Sequence, residues 1–186
     1  MSSNTVLSRL RKAPWHRALM SLLATSGIIA FGYLLHARLR YNRTPSVPTG
    51  WYWITPASTA TVGQLVAFCP PPTALLQEAL RRGYITGGDC AGNLSAMIKV
   101  VAAGPGDLVR FSAAGVTING RRWPKSQPLK RDPIGRPLAT PPSMYSEVPA
   151  GFFVALSQDL PSGFDSRYFG LVPSTQVQGT ATRLSF

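Results

Sequence analysis

The chain carries one long apolar run, and every apolar stretch after it is short. Ala18 to Leu35 reads ALMSLLATSGIIAFGYLL, eighteen residues without a charge. As a helix this run is about 27 Å long, close to the ~30 Å hydrocarbon core of a bilayer. Nothing in it alternates polar with apolar, as a half-buried element would. The pattern predicts a transmembrane helix over 18–35. Ala30-Phe31-Gly32 has the small-x-small form of a signal cleavage site. The run continues past it, however, and arginines follow, which favours an uncleaved signal anchor. Before it, residues 1–17 are polar and basic and are read as a disordered cytoplasmic segment with a short lead-in to the helix.

Beyond the run the periodicity changes to that of strands punctuated by turns. Gly50 to Thr55, Thr61 to Cys69, Met97 to Ala102, Leu108 to Phe111, Val116 to Ile118 and Gly151 to Ser157 read as strands. Leu171 to Pro173 and Gln176 to Leu184 close the sheet. Asn119-Gly120 has the composition of a two-residue hairpin turn, and Gly104-Pro105-Gly106-Asp107 that of a tight turn. Pro70 to Pro72 break the pattern. Thr73 is placed to cap a short helix over Ala74 to Arg82, with Leu75, Leu76, Ala79 and Leu80 on its apolar face and Gly83 at its end. Trp123 to Pro142, rich in proline and basic residues, reads as a long loop or two poor edge strands. The predicted organisation is a basic tail (1–17), one membrane helix (18–35) and a mainly β domain (41–186), with a helical insert over 69–90.

Composition adds charge and compartment. Nineteen Lys and Arg against seven Asp and Glu give a net charge of +12. Arg9, Arg11, Lys12 and Arg17 precede the apolar run, and Arg38, Arg40 and Arg43 follow it. Membrane lipid headgroups account for these seven without a nucleic acid partner. The balance of four before and three after gives a weak push towards a cytoplasmic N-terminus. Cys69 and Cys90 are the two cysteines. In an exported domain an even count permits one disulfide across a loop of about 20 residues; two reduced thiols are the alternative. The membrane segment favours the bond.

Histidine narrows the chemistry. The two histidines, His16 and His36, flank the apolar run, and none follows. The β domain therefore holds no Ser-His-Asp triad, no Cys-His pair and no histidine-containing zinc site. Two cysteines alone do not close a zinc site. No phosphate-binding or dinucleotide fingerprint is present. A hydrolytic domain of this composition needs a carboxylate or a lysine as its base, and no cofactor or metal is implied.

Two residues suit that requirement. Ser46 lies in Arg43-Thr44-Pro45-Ser46-Val47-Pro48-Thr49-Gly50, where two prolines fix φ and remove donors, so the segment is stiff and extended. It reads as a nucleophile in a rigid loop, or as an ordinary turn serine. Lys99 shares a strand face with Met97 and Val101. Burial there lowers an ammonium pKa from ~10.4 by as much as several units and leaves an amine able to act as a general base. The alternative is a lysine at a sheet edge whose amine reaches water. Lys125 and Lys130 sit in the proline-rich basic loop and read as solvated.

Three segments, in order, resemble the type I signal peptidases, membrane-anchored serine peptidases that use a Ser-Lys pair. They are Ser46-Val47-Pro48-Thr49-Gly50 after the membrane segment, Lys99 ahead of Gly104-Pro105-Gly106-Asp107, and Phe164-Asp165-Ser166-Arg167-Tyr168-Phe169-Gly170. Within that family the likeness is greatest to the peptidases of conjugative transfer, through Thr44-x-Ser46-Val47-Pro48, the short Cys69–Cys90 insert and the Asp165-Ser166-Arg167-Tyr168 element. Val47 stands where the general enzymes usually have methionine. The resemblance implies an antiparallel signal-peptidase-like fold, Ser46 as nucleophile and Lys99 as base. It further implies an oxyanion site from the Ser46 N–H and the Thr44 hydroxyl, and a requirement for Asp165. Asp165 either pairs with Arg167 in a structural bridge or holds the loop that orients Lys99. Ser166 is placed to hydrogen-bond the lysine amine.

These expectations combine into an inner-membrane, single-pass serine endopeptidase with its catalytic domain in the periplasm. The resemblance implies a pilin precursor as its protein substrate, docked as an added strand with small side chains. It also implies resolution by water or by the substrate's own amine, the latter giving a circular product. The alternatives are a general signal peptidase, a non-catalytic membrane-anchored scaffold of a conjugation or secretion apparatus, and a DNA-binding protein. The scatter of the arginines argues against the last.

Overall fold

The computed structural model describes residues 15–59, 61–139 and 144–185. Residues 1–14 of the basic tail and the end of the proline-rich stretch lie outside them. The chain divides into two units, residues 1–38 and 39–186. The first contains α1 (Trp15–Arg38). Its segment Arg17–Leu35 is long and apolar enough to cross a membrane.

The second unit is mainly antiparallel β, as expected. Its strands are β1 (Leu39–Asn42), β2 (Gly50–Pro56), β3 (Leu65–Phe68), β4 (Gly87–Cys90), β5 (Met97–Ala103), β6 (Leu108–Ser112), β7 (Gly115–Ile118), β8 (Arg121–Arg122), β9 (Met144–Glu147), β10 (Phe152–Leu156), β11 (Val172–Pro173) and β12 (Val177–Arg183), with helices α2 (Ala74–Arg81) and α3 (Ser166–Phe169). A seven-stranded sheet has the order β1-β2-β12-β3-β5-β10-β11, and a four-stranded sheet the order β8-β7-β6-β9. β5 therefore lies inside the larger sheet. In register, Val66 faces Lys99, Phe68 faces Met97, and Ala155 faces Val101.

The larger sheet is covered on both faces, which is why β5 and β10 read as nearly unbroken apolar runs. One face carries Val66, Phe68, Met97, Val101, Phe153 and Ala155, closed by Leu76 of α2. Ala102, Val154 and Leu156 pack with Val109, Phe111 and Val116 of the smaller sheet. Tyr52, Ile54, Ala67 and Ala181 pack with Val47. Lys99 shares its face with the first of these groups.

The local punctuation works as its chemistry dictates. Thr73 caps α2 by accepting the Leu76 N–H at 3.3 Å, and Gly83 follows the helix at φ +76°. Asn119 and Gly120 both have positive φ and close the β7–β8 hairpin, with Ile118 opposite Arg121. Asp107 secures the turn after β5 by accepting the Gly104 N–H at 2.8 Å. Four strands are not apparent from the pattern; one of them, β8, is the two-residue return of the Asn119-Gly120 hairpin. β1, LRYN, takes its place by pairing with β2; β9, MYSE, pairs with β6; β4 falls in the expected loop at Gly87–Cys90 and touches Leu94 by isolated bridges.

Cys69 and Cys90 are bonded, and their bond closes the insert at a separation of 21 residues. The insert is also tied to the proline-rich stretch. The Tyr84 hydroxyl donates to Asp132 Oδ2 at 2.6 Å, and Arg82 Nη1 donates to Pro137 O at 2.8 Å. Loss of a bond closing a loop of this length costs about 3 kcal/mol. Cys69→Ser/Cys90→Ser is expected to have an unfolding free energy in urea lower by that margin, and reductant to shift the midpoint of wild type but leave the double variant unmoved.

Candidate active site

Ser46 is held by a loop between β1 and β2 whose polar groups are bound from several sides. Pro45 and Pro48 stiffen it. Val47, 1% exposed, drives its side chain into the core beside Tyr52. The Tyr52 hydroxyl donates to Pro48 O at 2.6 Å, and Arg183 Nη2 donates to Thr49 O at 3.1 Å. The Ser46 carbonyl accepts the Gln158 N–H at 2.8 Å, fastening the loop to the chain just after β10. Ser46 is itself only 3% exposed, and its Oγ lies 3.0 Å from Thr44 Oγ1.

Lys99 sits in the middle of β5 and is 6% exposed. The edge position that would let its amine reach water is thereby ruled out. Its Nζ donates to Ser157 Oγ at 3.2 Å. Burial lowers the ammonium pKa from 10.5 to about 8. The Asp165 carboxylate pulls it back upward, and the Arg167 guanidinium adds to the lowering.

Asp165 and Arg167 form a bidentate pair at the start of α3. Arg167 Nε donates to Asp165 Oδ1 and Nη2 to Oδ2, both at 2.8 Å. Asp165 Oδ1 also accepts the Arg167 N–H as the cap of α3, and Oδ2 accepts the Ser157 N–H at 2.9 Å. Arg167 reaches the carbonyls of Lys125, Pro161 and Leu160. Asp165 is 0% exposed and Arg167 1%. Burial of such a pair is sustained by geometry and by complete hydrogen bonding. The same carboxylate thus bridges Arg167 and binds the backbone of Ser157, whose hydroxyl meets Lys99.

Ser166 differs from expectation. Its Oγ accepts the Ala155 N–H at 2.9 Å and ties α3 to β10, so it does not meet the lysine amine. Ser157 takes that place. It lies just past the end of β10, two residues beyond Ala155, whose partner Val101 shares the sheet face of Lys99. Its carbonyl accepts the Trp123 indole N–H at 3.1 Å. Gly163 makes room for it, because a Cβ added there would overlap Ser157 Oγ. The one signal for Ser157 in the sequence is a hydroxyl directly after the apolar run of β10. Among the described residues no hydrogen bond joins Ser46 Oγ to Lys99 Nζ; adjacent residues, Ser157 and Gln158, hold the amine and the serine loop respectively.

Two measurements follow from the burial. The folded protein releases the Lys99 proton near pH 8, whereas the unfolded chain keeps it to about 10.5. Between those values the unfolded state binds more protons, so this group's contribution to stability rises with pH, by roughly 3 kcal/mol in all. The unfolding free energy of wild type minus that of Lys99→Met is expected to rise by that amount from pH 7 to 10.5; a flat difference would mean an ordinary, solvated lysine. Asp165→Asn leaves the Arg167 charge buried without its partner and is expected to cost about 3–5 kcal/mol in urea unfolding.

The family model described as signal peptidase, peptidase S26, matches residues 12–186. Plasmid transfer protein TraF of Escherichia coli is similar in two forms. One is 37% identical, covering 82% of this chain and 85% of that protein. The other is 34% identical, covering 92% and 95%. Conjugal transfer protein TraF of Agrobacterium tumefaciens is 39% identical, covering 84% of each. Among solved structures, a signal peptidase I from Enterococcus faecalis is similar at 22% identity and a TM-score of 0.36, covering 67% of this chain and 97% of that one.

Proposed function

The chain belongs to the signal peptidase S26 family, and from that membership we propose that it is a membrane-anchored endopeptidase whose Ser46 and Lys99 form a catalytic pair. One observation carries the reading. The buried lysine amine and the Ser46 loop are fastened to adjacent residues at the end of β10, with Lys99 Nζ on Ser157 Oγ and Ser46 O on Gln158 N–H. A lysine with its pKa near 8 supplies neutral amine at a useful fraction close to neutral pH, as a general base requires.

In this mechanism neutral Lys99 takes the Ser46 proton as Oγ attacks the scissile carbonyl. The carbonyl π pair moves to oxygen, and the Ser46 N–H and Thr44 hydroxyl hold that oxyanion, each such donor being worth about 3 kcal/mol. The intermediate collapses, Lys99 returns its proton to the leaving amine, and an acyl-enzyme remains. Ser157 keeps the lysine amine in place, and Asp165 with Arg167 keeps Ser157 in place.

The relatives named for plasmid and conjugal transfer support a role in conjugation; in this reading the exported protein substrate is a pilin precursor. In this reading α1 is an uncleaved anchor in the inner membrane, in contact with its lipid, residues 1–17 are cytoplasmic, and residues 41–186 work in the periplasm. The acyl-enzyme then passes to water, giving a linear product, or to the substrate's own N-terminal amine, giving a circular one.

Co-expression with a pilin precursor, read by mass spectrometry, tests the proposal. Wild type is expected to process the precursor, and Ser46→Ala and Lys99→Ala to leave it intact. Processing that survives both substitutions would point instead to a scaffold. A product lighter by one water than the linear trimmed chain marks cyclisation, and full mass marks hydrolysis. The rate at limiting substrate is expected to rise about tenfold per pH unit below about 8 and to level off above it, because only the unprotonated lysine is active.

A further inference from the structure

Asn42, the last residue of β1, makes five hydrogen-bond contacts with the Ser46 loop, its two amide protons shared among three carbonyls. Its Nδ2 donates to the carbonyls of Thr44, Val47 and Pro48 at 2.7, 3.0 and 3.3 Å. Its Oδ1 accepts the Thr44 N–H at 3.2 Å and the Thr44 hydroxyl at 3.0 Å. The orientation of the carboxamide is fixed by its neighbours, since three carbonyl oxygens face only the amino group and an N–H faces only the oxygen. One side chain thus gathers the backbone on both flanks of Ser46.

The same bonds set the direction of the hydroxyl protons. A hydroxyl has one proton to give. With the Thr44 proton on Asn42 Oδ1, Thr44 Oγ1 meets Ser46 Oγ, 3.0 Å away, as an acceptor. The order is Ser46 to Thr44 to Asn42. When Ser46 turns its proton from Thr44 to Lys99 and bonds to carbon, Thr44 Oγ1 loses the donor it accepted, and the Thr44 hydroxyl serves the oxyanion by exchanging its bond to Asn42 Oδ1 for one to the developing oxygen. Asn42 keeps Thr44 in place meanwhile through the backbone N–H.

We infer that Asn42 is a positioning residue for the peptidase reaction: its carboxamide closes the loop around Ser46 and aims the Thr44 hydroxyl. This rests on Ser46 and Thr44 having the roles proposed above, and it adds a third residue that acts through Thr44 and the loop backbone.

The test is a double-substitution cycle on the full-length protein, following precursor processing and expressing rates per folded molecule from urea unfolding. Asn42→Ala and Thr44→Ala are each expected to lower kcat at least about tenfold with KM within about threefold, the pattern of an interaction made in the transition state. The double variant is expected within about threefold of the weaker single, because both act through one hydroxyl. Asn42→Asp fills the same space, keeps the acceptor and sets a carboxylate against three carbonyls. It is expected to fall at least as far, and it carries the test where the alanine variant does not accumulate. Wild-type rates in either Asn42 variant, or losses that multiply in the double variant, would overturn the inference. Ser46→Ala, run in parallel, separates the two levels. Activity that survives it removes the peptidase reading and this inference with it, whereas Ser46-dependent activity indifferent to Asn42 removes this inference alone.

Discussion

The structure of the site depends on the cost of burying one ammonium group. Lys99 occupies the interior of a sheet covered on both faces. Water does not solvate its charge there, and desolvation drives the amine towards its neutral form. Unrelieved, that burial would leave a polar nitrogen without a partner. Ser157 supplies one acceptor, and Asp165 limits the fall in pKa. The balance matters chemically. Burial lowers the pKa and the Asp165 carboxylate raises it, and the two opposing effects leave the amine near 8. With the carboxylate engaged bidentately by Arg167, its field at Lys99 is partly cancelled.

Rigidity follows from the same economy of polar groups. Each member of the cluster binds backbone as well as side chain. Asp165 takes the Ser157 and Arg167 N–H groups, Arg167 takes three carbonyls from two other segments, and Ser166 takes the Ala155 N–H. No buried side-chain nitrogen or oxygen among the described residues lacks a partner. A buried polar network in this state fixes one arrangement of its segments, because every alternative leaves a donor or acceptor unmatched. The Ser46 loop is included through Gln158, so the segment with the serine and the strand with the lysine share one framework.

What the sequence made legible has a physical pattern. Features written in local chemistry were readable: the Thr73 cap, the Asn119-Gly120 hairpin, the apolar strand carrying Lys99, the membrane-length run and the mainly β class. Their causes lie within a few residues of themselves. Features written in partnership were not. Ser157 looks like any serine at the end of a strand until β10 lies beside β5. β1 and β9 have weak strand composition and take form by pairing with β2 and β6. Ser166 is expected on the Lys99 amine, but a four-residue helix turns its hydroxyl to the Ala155 amide. Asn42 is separated from Ser46 by three residues, and its importance lies in five contacts that no composition rule anticipates.

The insert between the two cysteines is physically coupled to the same cluster. The rings of Tyr84 and Phe164 lie 5.8 Å apart, and Phe164 stacks on Tyr168 at 5.1 Å with planes 6° from parallel. Phe164 immediately precedes Asp165, and the Tyr168 hydroxyl accepts the Leu129 N–H at 3.0 Å. Tyr84 is held in turn by Asp132, which also takes Arg136 Nε at 2.6 Å. The insert, the proline-rich stretch and the α3 segment therefore brace one another through aromatic contact and one shared carboxylate. A four-residue helix has too few internal bonds to hold its own position. It keeps Asp165 and Arg167 in register because Phe164 and Tyr168 are packed from outside, and the disulfide secures the part of the chain that supplies Tyr84.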